Sequence, residues 1–294
     1  MDIESALDAL GVRPTDLRPE ERAALDKDGF FARQGVLTPA ECDGMGAAFD
    51  RLSAAEGARG GHEVHIEPTA SRVSDIFNKT DAFDRCLAIA PVLAAARHLL
   101  GPFKVHGANL RDPHKGGGHQ DIHVDVPKNR PDDWWVLNAI FAFDDITLEN
   151  GPPRAVPGSH RWAPINVPYV NVGDWTPQPL SPEDAARVPA DLAAPYPGEV
   201  FFTAPRGSVL VLNSCTWHGG TRNVGGARRR VLHLTYTRRD LPQQLVQRAH
   251  LTPGLYDRMS QAMRWLLDID DEGTVDPAML RSAARASKRG DWWA

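Results

Sequence analysis

The residues of this chain best suited to chemistry are Gln120-Asp121-Ile122-His123-Val124-Asp125, Trp217-His218-Gly219-Gly220 and Arg229. Two imidazoles and a carboxylate on one side of a metal leave its other positions open, the arrangement with which non-heme Fe(II) oxygenases bind co-substrate and O₂ together. On a strand, residues two apart share a face, so His123 and Asp125 can ligate one ion while Ile122, Val124 and Val126 turn to the core. His218 follows 95 positions after His123, just past the apolar run SVLVLN. Only a folded sheet returns it to the same ion.

The HxD spacing alone is a weak signal in a chain with 11 histidines, because a surface HxD arises readily. WHGG and a downstream arginine strengthen it. A rival sits in the same segment: His119-Gln120-Asp121 is a second HxD, and His119, Asp121, His123 and Asp125 would share one face, so periodicity does not choose between the pairs. His119 directly follows Gly116-Gly117-Gly118, a loop signal, whereas His123-Val124-Asp125 lies among alternating apolar residues. The later pair is therefore favoured.

The elements that must position these groups are predicted as a helical front (about 1–102), a strand-rich middle (about 103–240) and a helical tail (about 250–294), all in a single domain. Thr38-Pro39-Ala40-Glu41 has the ends of a capping box with proline at the first helical position, predicting a helix to about Gly57. Pro91 to Leu100, closed by Gly101, predicts another. Beyond Phe103 come short β-rich runs divided by Gly and Pro: FKVHGANL, DIHVDV, WWVLNAIFAF, GEVFFTA, GSVLVLN and RVLHLTY. Such intervals suggest a sandwich or barrel. The segment 164–197 is Pro-rich and irregular apart from a short helix opened by Ser181-Pro182-Glu183-Asp184, and is long enough to be a functional insertion. From Thr252 the pattern is helical through YDRMSQAMRWLLDI and DPAMLRSAARAS.

Composition narrows the function classes. The 294 residues are 42% hydrophobic, enough for a sizeable core. Net charge is −5 and the pI about 6.1, with basic residues scattered apart from Arg228-Arg229-Arg230, which argues against nucleic acid as a partner. MDIESALDAL carries acids where a secretion signal has a basic region, and no apolar run approaches a membrane span. A soluble, cytoplasmic protein with no membrane partner is expected. Cys42, Cys86 and Cys215 are odd in number and widely spaced, which suggests neither a disulfide framework nor a thiolate zinc site.

The chain resembles the phytanoyl-CoA dioxygenase-like family of iron and 2-oxoglutarate oxygenases, from Asp28-Gly29-Phe30 and Gly35-Val36-Leu37 through to Tyr236. The most specific part is AIFAFDDITLENGPPRAVPGSHRW, Ala139 to Trp162. A glutamine three residues before the first ligand is common in the family and matches Gln120 with His123; members written His-Gln-Asp match His119 and Asp121 instead. The resemblance implies a double-stranded β-helix (jelly-roll, cupin-like) core with flanking helices. It also implies Fe(II) held by His123, Asp125 and His218, with 2-oxoglutarate and O₂ on the open positions. The arginine eleven residues after the second histidine, Arg229, would pair the distal carboxylate of 2-oxoglutarate, a task suited to a guanidinium fork. Arg228 and Arg230 would point the other way. Asn223 fits the family pattern, or shapes a turn. The chain departs from the family at Gly220 and Pro153, where a small hydroxyl residue often assists 2-oxoglutarate.

The implied reaction is oxidative decarboxylation of 2-oxoglutarate to succinate and CO₂, coupled to substrate oxidation. Family-like halogenases lack the carboxylate that Asp125 supplies, so hydroxylation or a related oxidation is favoured. Two other readings use the same residues: a cupin-like metal-dependent hydrolase or isomerase, which needs no Arg229, and a jelly-roll binding module without chemistry. The segments expected to line the substrate pocket, 60–78 and 164–197, are polar, favouring a soluble small molecule, such as a specialised metabolite, over a fatty acyl thioester. His160 in Pro-Gly-Ser-His is read as structural, His62 and His65 as loop histidines, one of Trp134 and Trp135 as core, and Cys215 as a small buried hydrophobe.

Overall fold

A computed structural model of the chain describes residues 1–165 and 179–270. Among these residues the strands are β1 (Phe30–Arg33), β2 (Ala70–Val73), β3 (Phe103–Pro113), β4 (Val136–Ala142), β5 (Pro153–Ala155), β6 (Val200–Phe201), β7 (Val209–Asn213), β8 (His218–Gly220) and β9 (Val231–Arg238). Six form an antiparallel sheet in the order β1-β7-β4-β9-β3-β2, and three form a smaller one in the order β6-β5-β8. This is the two-sheet jelly-roll arrangement. Among the described residues no helix is long and apolar enough to cross a membrane.

Alternation along the strands gives the main sheet two unlike faces. Val105, Leu110, Phe141, Val211, Leu232 and Leu234 turn outward and are fully buried beneath the helices. Their cover includes the helices Pro39–Glu56 and Ala90–Leu100, both at their predicted positions. The first is capped as its sequence demands: Thr38 Oγ1 accepts from Glu41 N–H at 3.2 Å and Glu41 Oε2 accepts from Thr38 N–H at 2.7 Å. Glu183 and Asp184 lie in the short helix Pro182–Arg187, with Ser181 capping it. In the tail, Pro253–Arg258 and Gln261–Leu267 are helical; DPAMLRSAARAS lies outside the described residues.

Two expectations need correction. DIHVDV forms no strand beyond an isolated bridge between His123 and His218. Its N–H groups go to three different places, Ile122 to Leu192 O, His123 to His218 O and Asp125 to Ser214 O, so no ladder can build. The alternation of burial nevertheless holds, with Ile122, Val124 and Val126 inside. The front, expected to be helical, also supplies β1 and β2, which pair with β7 and β3 at the two edges of the main sheet.

Candidate active site

The inner face of the main sheet and the smaller sheet enclose a cavity of about 650 Å³. His123, Asp125 and His218 stand on its wall with ligand atoms all within 4.8 Å of one another. Asp125 Oδ1 lies 3.6 Å from His123 Nε2, and its Oδ2 lies 3.5 Å from His218 Nε2. Such separations leave room for an ion with bonds of roughly 2.1 Å to each.

The backbone fixes which ring nitrogens face the centre. His123 Nδ1 donates to Asp121 O at 2.7 Å and His218 Nδ1 to Thr216 O at 2.8 Å, since a carbonyl can only accept. Both Nε2 atoms are left with their lone pairs toward Asp125, the tautomer a metal requires. Burial opposes ionisation of Asp125, but with no ion bound His218 and His123, when protonated, donate to it and hold its carboxyl well below the usual range; a metal takes the place of those protons. Asn138 Nδ2 donates to Asp125 Oδ2 at 2.5 Å and orients it. Asn138 escaped the sequence reading; its signal was a lone amide inside the apolar run VLNAIFA.

The segment bearing the second histidine is braced from behind. Trp217, 1% exposed, packs edge-on against Trp162 and Tyr196, and its backbone N–H donates to Ser159 Oγ at 2.7 Å. Pro-Gly-Ser-His therefore serves to lock the residue before His218. His160 is structural as expected: it is buried, its ring contacts Asp26 O, and burial pushes it down to about 4. Arg154, also unanticipated, is buried beside Glu199 at 3.2 Å and donates to Gln120 O and Leu192 O, pinning the stretch before His123. Trp135 and Cys215 are buried; burial raises the Cys215 thiol to about 12, leaving it inert.

Gly219 and Gly220 pass so close to the His119–Asp121 segment that no side chain fits. A Cβ on Gly220 would fall 2.4 Å from Gly118 O, and one on Gly219 2.9 Å from Gln120 O. The family's hydroxyl at this position is thus excluded by backbone. Gln120, on the cavity wall, accepts from Gly220 N–H at 3.1 Å and from Arg111 Nη1 at 3.5 Å. His119 and Asp121 stand 4.0 Å apart near the rim, with no third ligand among the described residues.

The three consecutive arginines divide as their alternation predicts. Arg228 pairs Asp112 and Asp50, and Arg230 pairs Asp144 and Asp50. Arg229 turns inward and is 2% exposed; its backbone N–H is held by Asp112 at 2.9 Å, while its Nε and Nη2 have no partner. Burial and Arg111 depress it to about 9, so it remains charged at neutral pH. A buried, unpartnered guanidinium opening on a cavity calls for an anion. Asn223 shapes the loop leading to it, accepting from Gly226 N–H and donating to Pro113 O.

Of the segments expected to line the pocket, 60–78 does so through Val64, His65, Glu67, Thr69 and Arg72. His62 lies away from it, beside Glu63. Glu56, His62 and Glu63 also come within ligand distance of one another, but Lys79 Nζ already holds Glu56 and Glu63, at 2.5 and 2.6 Å. No described residue of 164–197 lines the cavity; those residues pack behind Ile122, and 166–178 lie outside the described residues.

The profile of the phytanoyl-CoA dioxygenase (PhyH) family matches residues 25–231. The chain belongs to the phytanoyl-CoA dioxygenase family. It is accordingly an iron- and 2-oxoglutarate-dependent oxygenase. Among curated relatives, the dioxygenase af480 of Aspergillus fumigatus is 26% identical over 276 residues, covering 90% of this chain and 81% of its own. The L-proline trans-4-hydroxylase of Streptomyces griseoviridis is 28% identical over 199 residues, 60% of this chain and 71% of its own. Solved structures share the fold. HygX from Streptomyces hygroscopicus, with nickel, 2-oxoglutarate and hygromycin B bound, aligns over 76% of this chain and 88% of its own with a TM-score of 0.57 at 19% identity. EctD from S. alaskensis with bound Fe aligns over 76% and 77% with a TM-score of 0.58 at 21% identity.

Proposed function

We propose that this oxygenase holds Fe(II) through His123, Asp125 and His218, anchors 2-oxoglutarate through Arg229 with Gln120 as a further contact, and hydroxylates a small, polar specialised metabolite. The observation that carries the reading is Arg229: a charged guanidinium with two donors unpartnered, buried in the cavity that holds a three-ligand cluster. A metal-dependent hydrolase or isomerase needs no such anchor, and metal analysis separates the oxygenase from a binding module.

When bound, iron and 2-oxoglutarate together supply oxidation of a C–H bond, with succinate and CO₂ as the co-products. The chain's own work is placement. Asp121 O and Thr216 O keep both imidazoles in the ligating tautomer, and Asn138 keeps Asp125 turned toward them. Asp125 also fills the position a halide would need, which favours hydroxylation. Arg229 would pair the distal carboxylate bidentately, and that pairing is stronger because water is excluded.

The test is anaerobic reconstitution with Fe(II) followed by 2-oxoglutarate, read by the visible absorption of the iron chelate. A screen of candidate substrates for O₂-dependent succinate release would follow. Stoichiometric iron, chelate absorption and substrate-stimulated succinate are expected. A protein that takes up no iron, or binds iron but never consumes 2-oxoglutarate, is not the enzyme proposed.

A further inference from the structure

We infer that the cavity contains a second anion site, centred on Arg72, that takes a single acidic group of the substrate, such as a carboxylate; this rests on the iron and 2-oxoglutarate reading above. The starting point is a mismatch of charges. Arg72 on β2 and Arg111 on β3 are direct partners across the strand pair, and both turn to one carboxylate, Glu67. Arg111 meets it through Nε at 2.8 Å and Nη2 at 2.5 Å, and Arg72 through Nη1 at 3.2 Å. Burial opposes ionisation of Glu67, yet Arg111 and Arg72 bring it down to about 2, so it is a full anion. One negative charge faces two positive ones.

The rest of the cavity does not supply the missing anion. Among the described residues lining it, the acids are Asp125 and Glu67 and the guanidinium groups are those of Arg72, Arg111 and Arg229. With iron and 2-oxoglutarate in place, Asp125 and the chelating carboxylate balance the ion, and the distal carboxylate balances Arg229. The pair that shares Glu67 keeps one positive charge. His233, facing all three arginines, is pushed down to about 3 by burial and by their charge, consistent with a positive interior.

The free donors belong to Arg72. Arg111 is spent: besides Glu67 it donates to Gln120 Oε1 and Gly118 O. Arg72 makes its one hydrogen bond through Nη1, and its Nε is buried without a partner. A buried cationic donor left unpaired carries a desolvation penalty that an acidic ligand group removes. His65 and Thr69 stand on the same wall; burial and Arg72 lower the His65 pKa, leaving a neutral ring beside the site.

The experiment compares benzoate with benzamide, an acid and its neutral isostere, by calorimetry on anaerobic protein loaded with Fe(II) and saturating 2-oxoglutarate. Benzoate should bind at least about tenfold more tightly than benzamide. Arg72→Gln should abolish that preference, and Arg72→Lys should restore part of it. Glu67→Gln, which unmasks a second charge, should strengthen benzoate binding, a gain that a purely structural role for this pair would not give. The affinity for 2-oxoglutarate, read from chelate absorption, should change by no more than about twofold in Arg72→Gln.

Equal binding of acid and amide, no binding of either, or a preference that survives Arg72→Gln would overturn the inference. So would loss of 2-oxoglutarate in Arg72→Gln as large as that in Arg229→Ala measured alongside, which would make the co-substrate itself the anion at Arg72. Loading without an acid preference sinks this inference and leaves the function above intact. If the protein does not load at all, that function fails, and the subsite survives only if benzoate preference in the unloaded protein is lost in Arg72→Gln and kept in Arg229→Ala.

Discussion

The two faces of the six-stranded sheet are made by the same strands and have opposite natures. On β9, Leu232 and Leu234 face the helices with no measurable exposure, while His233 and Thr235, alternating with them, face the cavity. On β4, Ala139 and Phe141 face the helices, and Asn138 holds Asp125 on the other side. The outer face is apolar but for the unpaired Tyr236 hydroxyl, and burying its apolar surface stabilises the fold at about 25 cal/mol per Å². The inner face keeps unpaired charge, with buried guanidinium donors of Arg229 and Arg72 that no residue satisfies. The side of the sheet with unmatched cations is the side that binds.

That contrast can be broken at its strongest point first. His123→Ala should abolish Fe(II) binding and turnover, because two ligands hold the ion poorly, whereas His119→Ala should keep iron. Metal analysis of both variants settles it, and the reverse result would move the site to His119 and Asp121. Next, Arg229→Ala should leave iron nearly intact and weaken 2-oxoglutarate by about 30-fold or more, because a desolvated carboxylate loses its bidentate partner. Arg228→Ala and Arg230→Ala remove arginines already engaged by Asp50, Asp112 and Asp144, so titrations of 2-oxoglutarate should barely register them. Equal effects from all three would make the inward turn of Arg229 irrelevant to function.

A paired substitution separates the faces directly. Asn138→Ala should lower iron affinity by roughly 10- to 100-fold, since it removes the group orienting a ligand, with little change in unfolding. Leu234→Ala should cost about 2–5 kcal/mol in stability by opening a cavity under the helices, with iron affinity unchanged in the folded protein. Urea unfolding and iron titration on both variants measure this, and an iron defect in Leu234→Ala would mean the faces are coupled.

What the sequence disclosed follows the same division. Strand runs and capped helices were readable because burial alternates every second residue and a capping box is local. His123 and Asp125 were readable through their apolar neighbours, even though the segment makes no ladder. β1, β2, β5 and β8 are three or four residues long, too short for alternation to register, whereas β6 was readable within GEVFFTA. Glu67, Arg72 and Arg111 were illegible because their meaning lies in Arg111 arriving from a different strand at a carboxylate that nearby Arg72 also holds, and no local pattern records which carboxylate two arginines will share. Asn138, Arg154 and Ser159 act through other residues, and their types alone fit a turn or a surface equally well.

The smallest expected effect tests the electrostatic character of the inner face. His233 is pushed down to about 3 by burial and by Arg111, Arg72 and Arg229, whereas in the unfolded chain it titrates near the ordinary histidine value of about 6.5. Above the unfolded value neither state binds the proton, and stability does not depend on this group. As pH falls below it, the unfolded chain takes up a proton that the native ring refuses, so stability declines by about 1.4 kcal/mol per pH unit until the native ring also titrates. His106 and His160, each pushed down to about 4 by burial, add to the same decline in the wild-type protein. His233→Asn removes one of these protons and keeps a polar side chain at the cavity. Urea unfolding of the metal-free protein at a series of pH values between about 7 and 5 should therefore give a shallower loss in His233→Asn, reaching roughly 1–2 kcal/mol of difference at the acid end. Identical slopes would show that the native ring accepts its proton normally, and hence that neither burial nor the three arginines depresses it in the folded protein.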